Sequence, residues 1–328
     1  MRSQKINFYQ VRNVGEVISA TADFIRDNFK SFFLSILYTT GPFLLLIALV
    51  AGLMPYIAGI LGIGFGFSFA MFQIGMFVPL LLLAAVFLTG VYQYIVLYIQ
   101  KNHEEAISVP ELWRAIRKNY MNTVKTLIGL FLLAILVYFL VALLIILVVA
   151  IGAGMGALLS TFLPSFIVGV VAILAMLCLG AAIFYYASPI AFLFNVRMME
   201  KLRFGQSVSR CYQLAEGYRW KVVLVLFIVI IVQFVLTAVS IVPLFLTGAV
   251  DLLGGRYVFD GANSVLYYAY MALMALLSYM MYTINIVAIS FLYGSIREAK
   301  ESLSLQGKIE NFGVRPEAED MDREEDIY

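Results

Sequence analysis

SVSRCYQLAEGYRWK, residues 207–221, breaks off between two long apolar runs in a chain of 328 residues that is 63% hydrophobic and 13% charged. Its apolar side chains recur at helical spacing. Val208, Cys211, Tyr212, Ala215 and Tyr218 share one face, and Ser209, Arg210, Gln213 and Glu216 the other. Such a helix lies along a membrane surface, apolar side inward, with its charges toward headgroups or water. Trp220 then stands where the chain turns into the bilayer, a position that aromatic rings favour.

The flanking runs carry the same message. No charged residue occurs in 31–100 or 126–196, runs of 70 and 71 residues, and further apolar stretches fill 222–250 and 261–296. With a mean hydropathy of +0.95, this composition belongs to an integral membrane protein. A bilayer-crossing helix needs about 20 apolar residues, so each long run holds two spans. Six spans are expected, near 31–54, 70–99, 126–151, 165–196, 222–247 and 263–296. Of the 22 Lys and Arg, 21 fall in the N-terminal segment, the two connectors after spans two and four, and the C-terminal segment; only Arg256 lies in a turn between paired spans. That partition predicts cytoplasmic N and C termini. The polar first thirty residues do not resemble a cleavable signal, so span one is expected to remain in the mature protein.

The opening segment has two relatives. IRDNF at 25–29, IRKNY at 116–120 and LAEGY at 214–218 each stand just before an odd-numbered span, their starts 91 and 98 residues apart. In the second connector Val109, Leu112, Ile116 and Tyr120 form the apolar stripe, while Arg114, Arg117 and Lys118 point elsewhere. In the first, Val14, Val17, Ile18, Ile25 and Phe29 oppose Glu16, Asp23, Arg26 and Asp27. The expected fold is an all-α polytopic membrane protein of three tandem hairpin repeats, each introduced by a cytoplasmic amphipathic interfacial helix. The repeats cover roughly 7–100, 104–197 and 201–297 within a membrane domain of 1–305, and an acidic tail at 306–328 is expected to be disordered. Every unit begins inside, so the repeats are parallel and not inverted. Arg26, Lys30, Arg117, Lys118, Arg210, Arg219, Trp220 and Lys221 are the candidate contacts to headgroups or to a partner.

The longer run MEKLRFGQSVSRCYQLAEGYRWKVVL, residues 199–224, resembles the membrane domain attached to some bacterial glycerophosphoryl diester phosphodiesterases and related uncharacterised six-span proteins. Glu200, Ser209, Arg210, Leu214, Gly217 and Trp220 match that pattern: a Glu after span four, a small polar helix with Ser and Arg, then L-x-x-G-x-x-W. The resemblance implies a fold and a bacterial inner-membrane location. The chain has no room for the soluble phosphodiesterase barrel, so that activity does not carry over.

Little here suggests catalysis. The single histidine, His103, sits beside Glu104 and Glu105 in a solvated loop, and no Ser or Cys pairs with a histidine inside a span. Cys178 lies mid-span and Cys211 on the cytoplasmic side, so they are expected to be unpaired thiols. The spans hold no Asp, Glu, Lys, Arg or His, the residues that coupled transport uses. No metal, cofactor or nucleic acid is implied. The deeper polar residues Gln233 and Asn285 are each expected to hydrogen-bond across helices. Ser278, Tyr282 and Asn285 share a face of a tyrosine-rich span six, and with Gln233 they are the candidate lining of an intramembrane lipid cleft. Pro42, Pro79, Pro189 and Pro243 fall inside spans, where each removes a backbone donor and can kink a helix. Glycine-rich stretches at 58–71 and 152–164 are expected to form hairpin tips buried in the membrane or against protein.

The inner connectors carry 19 bases against ten acids, a net of +9 that suits anionic lipid. The expected partners are membrane lipids, anionic ones among them, and a protein in the membrane. The function these features suggest is non-enzymatic: scaffolding or assisting other membrane components. A lipid or amphiphile carrier with a cleft among kinked spans is the alternative.

Overall fold

A computed structural model describes residues 6–60, 65–101, 107–159, 165–246 and 263–303. Among them the chain is helical throughout, without a strand: α1 (Val14–Ile60), α2 (Phe65–Gln100), α3 (Val109–Leu159), α4 (Ser165–Ala187), a 3-10 turn (Ser188–Phe192), α5 (Leu193–Met199), α6 (Phe204–Ala215), α7 (Arg219–Leu246) and α8 (Asn263–Glu301). Among the described residues, five segments are long and apolar enough to cross a membrane: Val14–Ile47, Ile74–Gln100, Val109–Leu147, Gly169–Met199 and Arg219–Val239. The chain is therefore built as a multi-pass membrane protein. The predicted sixth span falls inside α8, which is not one of the five. Residues 61–64 and 160–164 of the predicted tips, His103, Arg256 and the acidic tail lie outside the described residues.

The first two connectors differ from the prediction of separate surface helices. α1 and α3 run unbroken through the amphipathic segment and the span, 47 and 51 residues, or about 70 and 77 Å. Asn28 and Asn119, at the fourth position of the repeated motif, lie within these continuous helices. The Asn28 amide donates to the Phe24 carbonyl at 3.0 Å and the Asn119 amide to the Ala115 carbonyl at 3.1 Å. The third connector does break. Its equivalent residue, Gly217, turns left-handed at φ 80, so α6 ends at Ala215 and α7 starts at Arg219. α1 itself begins at a capping box, with Asn13 Oδ1 accepting from the Glu16 N–H and Glu16 Oε2 from the Asn13 N–H, both at 2.8 Å.

Predicted span four is also interrupted. Pro189 cannot donate to the Tyr185 carbonyl, four residues back. The Ser188 hydroxyl does so instead, at 2.9 Å, and the chain passes through the 3-10 turn into α5.

Burial gathers at the end of the bundle that carries the charged connectors. Phe24 meets Phe32, Tyr98 and Phe291 with ring centres 5.6, 4.9 and 5.7 Å apart, and Phe32 meets Tyr94 at 4.8 Å. Leu112, Ile116, Phe192, Leu214 and Leu292 complete a shared core. Thr89 and Thr123 join α2 to α3 through a 2.6 Å hydroxyl pair. Farther along, the helices present their apolar side chains outward: Leu136, Phe139, Leu143 and Ile146 on α3, Ile173 and Leu177 on α4, Phe234 and Val239 on α7. None of the most apolar stretch of α3 is buried by its own chain.

Candidate functional site

A knot of charge sits where the α5–α6 turn, α6 and the end of α8 converge. Glu200 is its centre. Its Oε2 accepts from Arg210 Nε at 2.9 Å, and its Oε1 accepts from the Tyr293 hydroxyl at 2.7 Å and lies 3.8 Å from Arg297 Nε. Arg210 also donates to Glu301, which accepts from Arg297 Nε at 2.8 Å, and Arg297 reaches the Tyr293 hydroxyl at 3.2 Å. Two guanidinium groups thus share two carboxylates. Tyr9 borders the knot; burial raises its hydroxyl pKa above the ordinary value, with Arg297 opposing and Glu200 reinforcing the shift.

A second knot ties the N-terminal segment to α8 and α7. The Arg12 N–H donates to Ser295 Oγ at 2.9 Å, Lys221 Nζ donates to Ser295 Oγ at 3.0 Å, and Lys221 also donates to the Arg12 carbonyl. The buried Arg12 guanidinium binds the carbonyls of Phe8 and Asn7 and Gln10 Oε1, and lies 5.5 Å from the Phe291 ring centre. Carbonyl oxygens and an aromatic face replace a carboxylate partner there. Burial lowers the Arg12 pKa, and Glu16 opposes the shift. At 6% exposure, Arg12 is a buried cation committed to holding its own chain.

The Glu200 knot is closed, every carboxylate oxygen of Glu200 and Glu301 being engaged by Arg or Tyr. This is an arrangement that clamps helices together. Cys211, buried beside it, has its thiol pKa pushed up to about 12 by burial and then by Glu200, so it stays protonated and unreactive near neutral pH. Among the described residues, no three His, Cys, Asp or Glu side chains gather as metal ligands.

The predicted contact residues divide. Arg26, Lys30, Arg117, Lys118 and Trp220 are exposed. Arg26 makes surface pairs with Asp23 and Asp27, of the kind that contribute little. Arg210 and Lys221 turn their charged ends toward protein, Arg210 to Glu200 and Glu301 and Lys221 to Ser295 and the Arg12 carbonyl. Arg219 lies over the rings of Tyr185 and Tyr186. Of the candidate cleft residues, Asn285 and Gln233 bond to each other, Nδ2 to Oε1 at 3.0 Å, joining α8 to α7, and Gln233 continues to Thr237 at 3.3 Å. Tyr282 is 50% exposed, and Ser278 is half-buried.

Sequence reasoning missed Arg12, Ser295, Arg297 and Glu301. Arg297 and Glu301 stand four apart on a helix and were open to discovery as a pair; Arg12 and Ser295, 283 residues apart, carry no local signal. Asn195, one of the few polar residues within the spans, is fully buried with neither side-chain amide atom hydrogen-bonded. No family model, curated protein or solved structure matches the chain.

Proposed function

We propose that this chain is a non-enzymatic, six-span protein of a bacterial inner membrane, with both termini cytoplasmic and three tandem hairpin units, that scaffolds or assists other membrane components. The supporting observation is the division of labour along its helices. Charged groups that would serve chemistry in an enzyme are spent on locking the connector end. The apolar stretch of α3, by contrast, is not covered by its own chain. Apolar side chains have no hydrophobic reason to leave lipid for each other, so helix association in a membrane depends on close packing and polar contacts. α3 has its packing contacts near Leu112, Ile116 and Thr123 and leaves Leu136, Phe139, Leu143 and Ile146 for whatever lies beside it. Lipid satisfies such side chains as well as protein does, so the scaffold reading takes this face as the one open to a neighbouring membrane protein.

The test is extraction in native lipid patches followed by mass spectrometry of everything that co-purifies. A stoichiometric protein, lost when Phe139 and Leu143 are replaced by Ala, supports the scaffold. The chain recovered alone with one enriched lipid overturns it in favour of the amphiphile carrier. The half-exposed Tyr282 ring beside the Gln233–Asn285 bond is what favours that second reading.

A further inference from the structure

Arg219 opens α7 immediately before the apolar run, and its guanidinium lies 5.9 Å from the ring centre of Tyr185 and 5.8 Å from that of Tyr186 at the end of α4. The two tyrosines meet edge-on at 5.4 Å, and the Trp220 ring lies 5.2 Å from Tyr185. Among the described residues, no carboxylate pairs with Arg219. Held near two aromatic rings, a guanidinium is oriented without being neutralised, and its N–H edge stays available to a planar or tetrahedral anion. Tyr186 and Trp220 are 61% and 69% exposed, so this positive, aromatic patch faces outward.

An apolar track starts at the same point. Trp220, Leu224, Phe227 and Phe234 are exposed and fall at intervals of four, three and seven, one face of α7. From Trp220 to Phe234 this face extends about 21 Å, enough to span one leaflet of a hydrocarbon core about 30 Å thick. A free phosphate would use the Arg and not the track. An acyl chain alone would use the track and not the Arg.

We infer that Arg219, Tyr185, Tyr186 and Trp220 bind the phosphate of an anionic phospholipid whose acyl chains lie along the exposed face of α7. The headgroup is anionic and not a choline ester, because Arg219 already occupies the ring faces that would cage a quaternary ammonium. This inference rests on membrane insertion alone; the search for a protein partner neither supports nor removes it.

Native mass spectrometry of the full chain in detergent, titrated with phosphatidylglycerol or with phosphatidylcholine of the same acyl length, reads the site directly. Retention of phosphatidylglycerol should exceed that of phosphatidylcholine. Arg219→Gln should reduce it about tenfold, as loss of a charge-assisted contact does. Tyr186→Leu, which removes one of the two rings beside the guanidinium, should reduce it about threefold. Arg114→Gln, which removes an exposed charge on α3, should leave it unchanged. Equal retention of the two lipids, or equal loss in the Arg114 and Arg219 variants, overturns the site in favour of general surface charge. Displacement of phosphatidylglycerol by millimolar inorganic phosphate overturns the lipid and leaves a simple anion site.

Discussion

The backbone carbonyl of Phe8 rests against Gly294: a Cβ at that glycine would come within 2.7 Å of the oxygen and 2.8 Å of the Phe8 ring. The N-terminal segment crosses α8 at this point, held on either side by the Ile6 N–H to Tyr98 hydroxyl bond at 3.2 Å and by the Arg12 to Ser295 bond at 2.9 Å. Because a backbone oxygen cannot swing away, Gly294→Ala should lift the segment and cost about 1–3 kcal/mol, as overpacking does. Gly180→Ala, where nothing lies within 4 Å, should be neutral or slightly stabilising. Thermal unfolding of the two variants in one detergent compares them; an equal midpoint would show that the segment is not anchored there.

The Glu200 knot predicts a non-additive loss. Glu200→Gln leaves two guanidinium groups and the Tyr293 hydroxyl short of a charged acceptor, which should cost about 1–3 kcal/mol. The carboxylate side chain is only 10% exposed and Arg210 27%, so solvent screens the Arg ends more than the acid. Tyr293→Phe should cost less, and the double variant should fall short of the sum by about 0.5 kcal/mol or more. Strict additivity of the two unfolding free energies would mean that the hydroxyl and the carboxylate act independently.

How much of this was legible depends on the range of the interaction. Charge-free runs dictate long apolar helices, since an unpaired backbone polar group is costly in lipid, and the helices lie there. Gln233 and Asn285 stood out as amides in greasy surroundings, and the structure joins them. The inward turn of Arg210 and Lys221 was not readable: their partners Glu301 and Ser295 are 91 and 74 residues away, and a helical wheel sees only its own helix. The same limit explains why the connectors were all expected to be separate helices. A motif position that tolerates Asn or Gly does not say which of them bends the chain.

The Gln233–Asn285 bond sets a test of the cleft. A hydrogen bond between membrane helices averages about 0.6 kcal/mol, so Asn285→Ala should lower stability by less than about 1 kcal/mol and should not change lipid transfer between vesicles. Tyr282→Ala, at a side chain already half exposed, should do even less to stability. Loss of transfer activity in either variant without loss of folding would move the carrier ahead of the scaffold.

Cys211 predicts an alkaline weakness. Its pKa is raised from 9.0 to about 12 in the folded chain, by burial first and Glu200 second. The folded state therefore holds the thiol proton more tightly than the unfolded state. The resulting stabilisation is complete below about pH 9 and is lost as pH climbs toward about 12. Cys211→Ala should flatten that part of the stability profile, as measured by denaturant unfolding at stepped pH. An unchanged slope would mean that the thiol reaches water in the native state.

Gly217 is where the three similar motifs part company. Asn28 and Asn119 bond back to the carbonyls of Phe24 and Ala115 within the continuous α1 and α3, whereas Gly217 takes φ 80 and separates α6 from α7. An alanine held in that left-handed conformation costs about 1–2 kcal/mol. The chain can avoid the strain only by extending α6 straight into α7, which would carry Arg210 away from Glu200 and Glu301. Gly217→Asn should be tolerated better, since Asn enters the left-handed region more readily than Ala. Spin labels at the exposed positions Ser209 and Leu224 report the outcome: a longer distance in Gly217→Ala means the helix has straightened, and an unchanged distance with lower stability means the bend persists under strain. An unchanged distance with unchanged stability would remove the left-handed turn from the account of how the Arg210 knot is assembled.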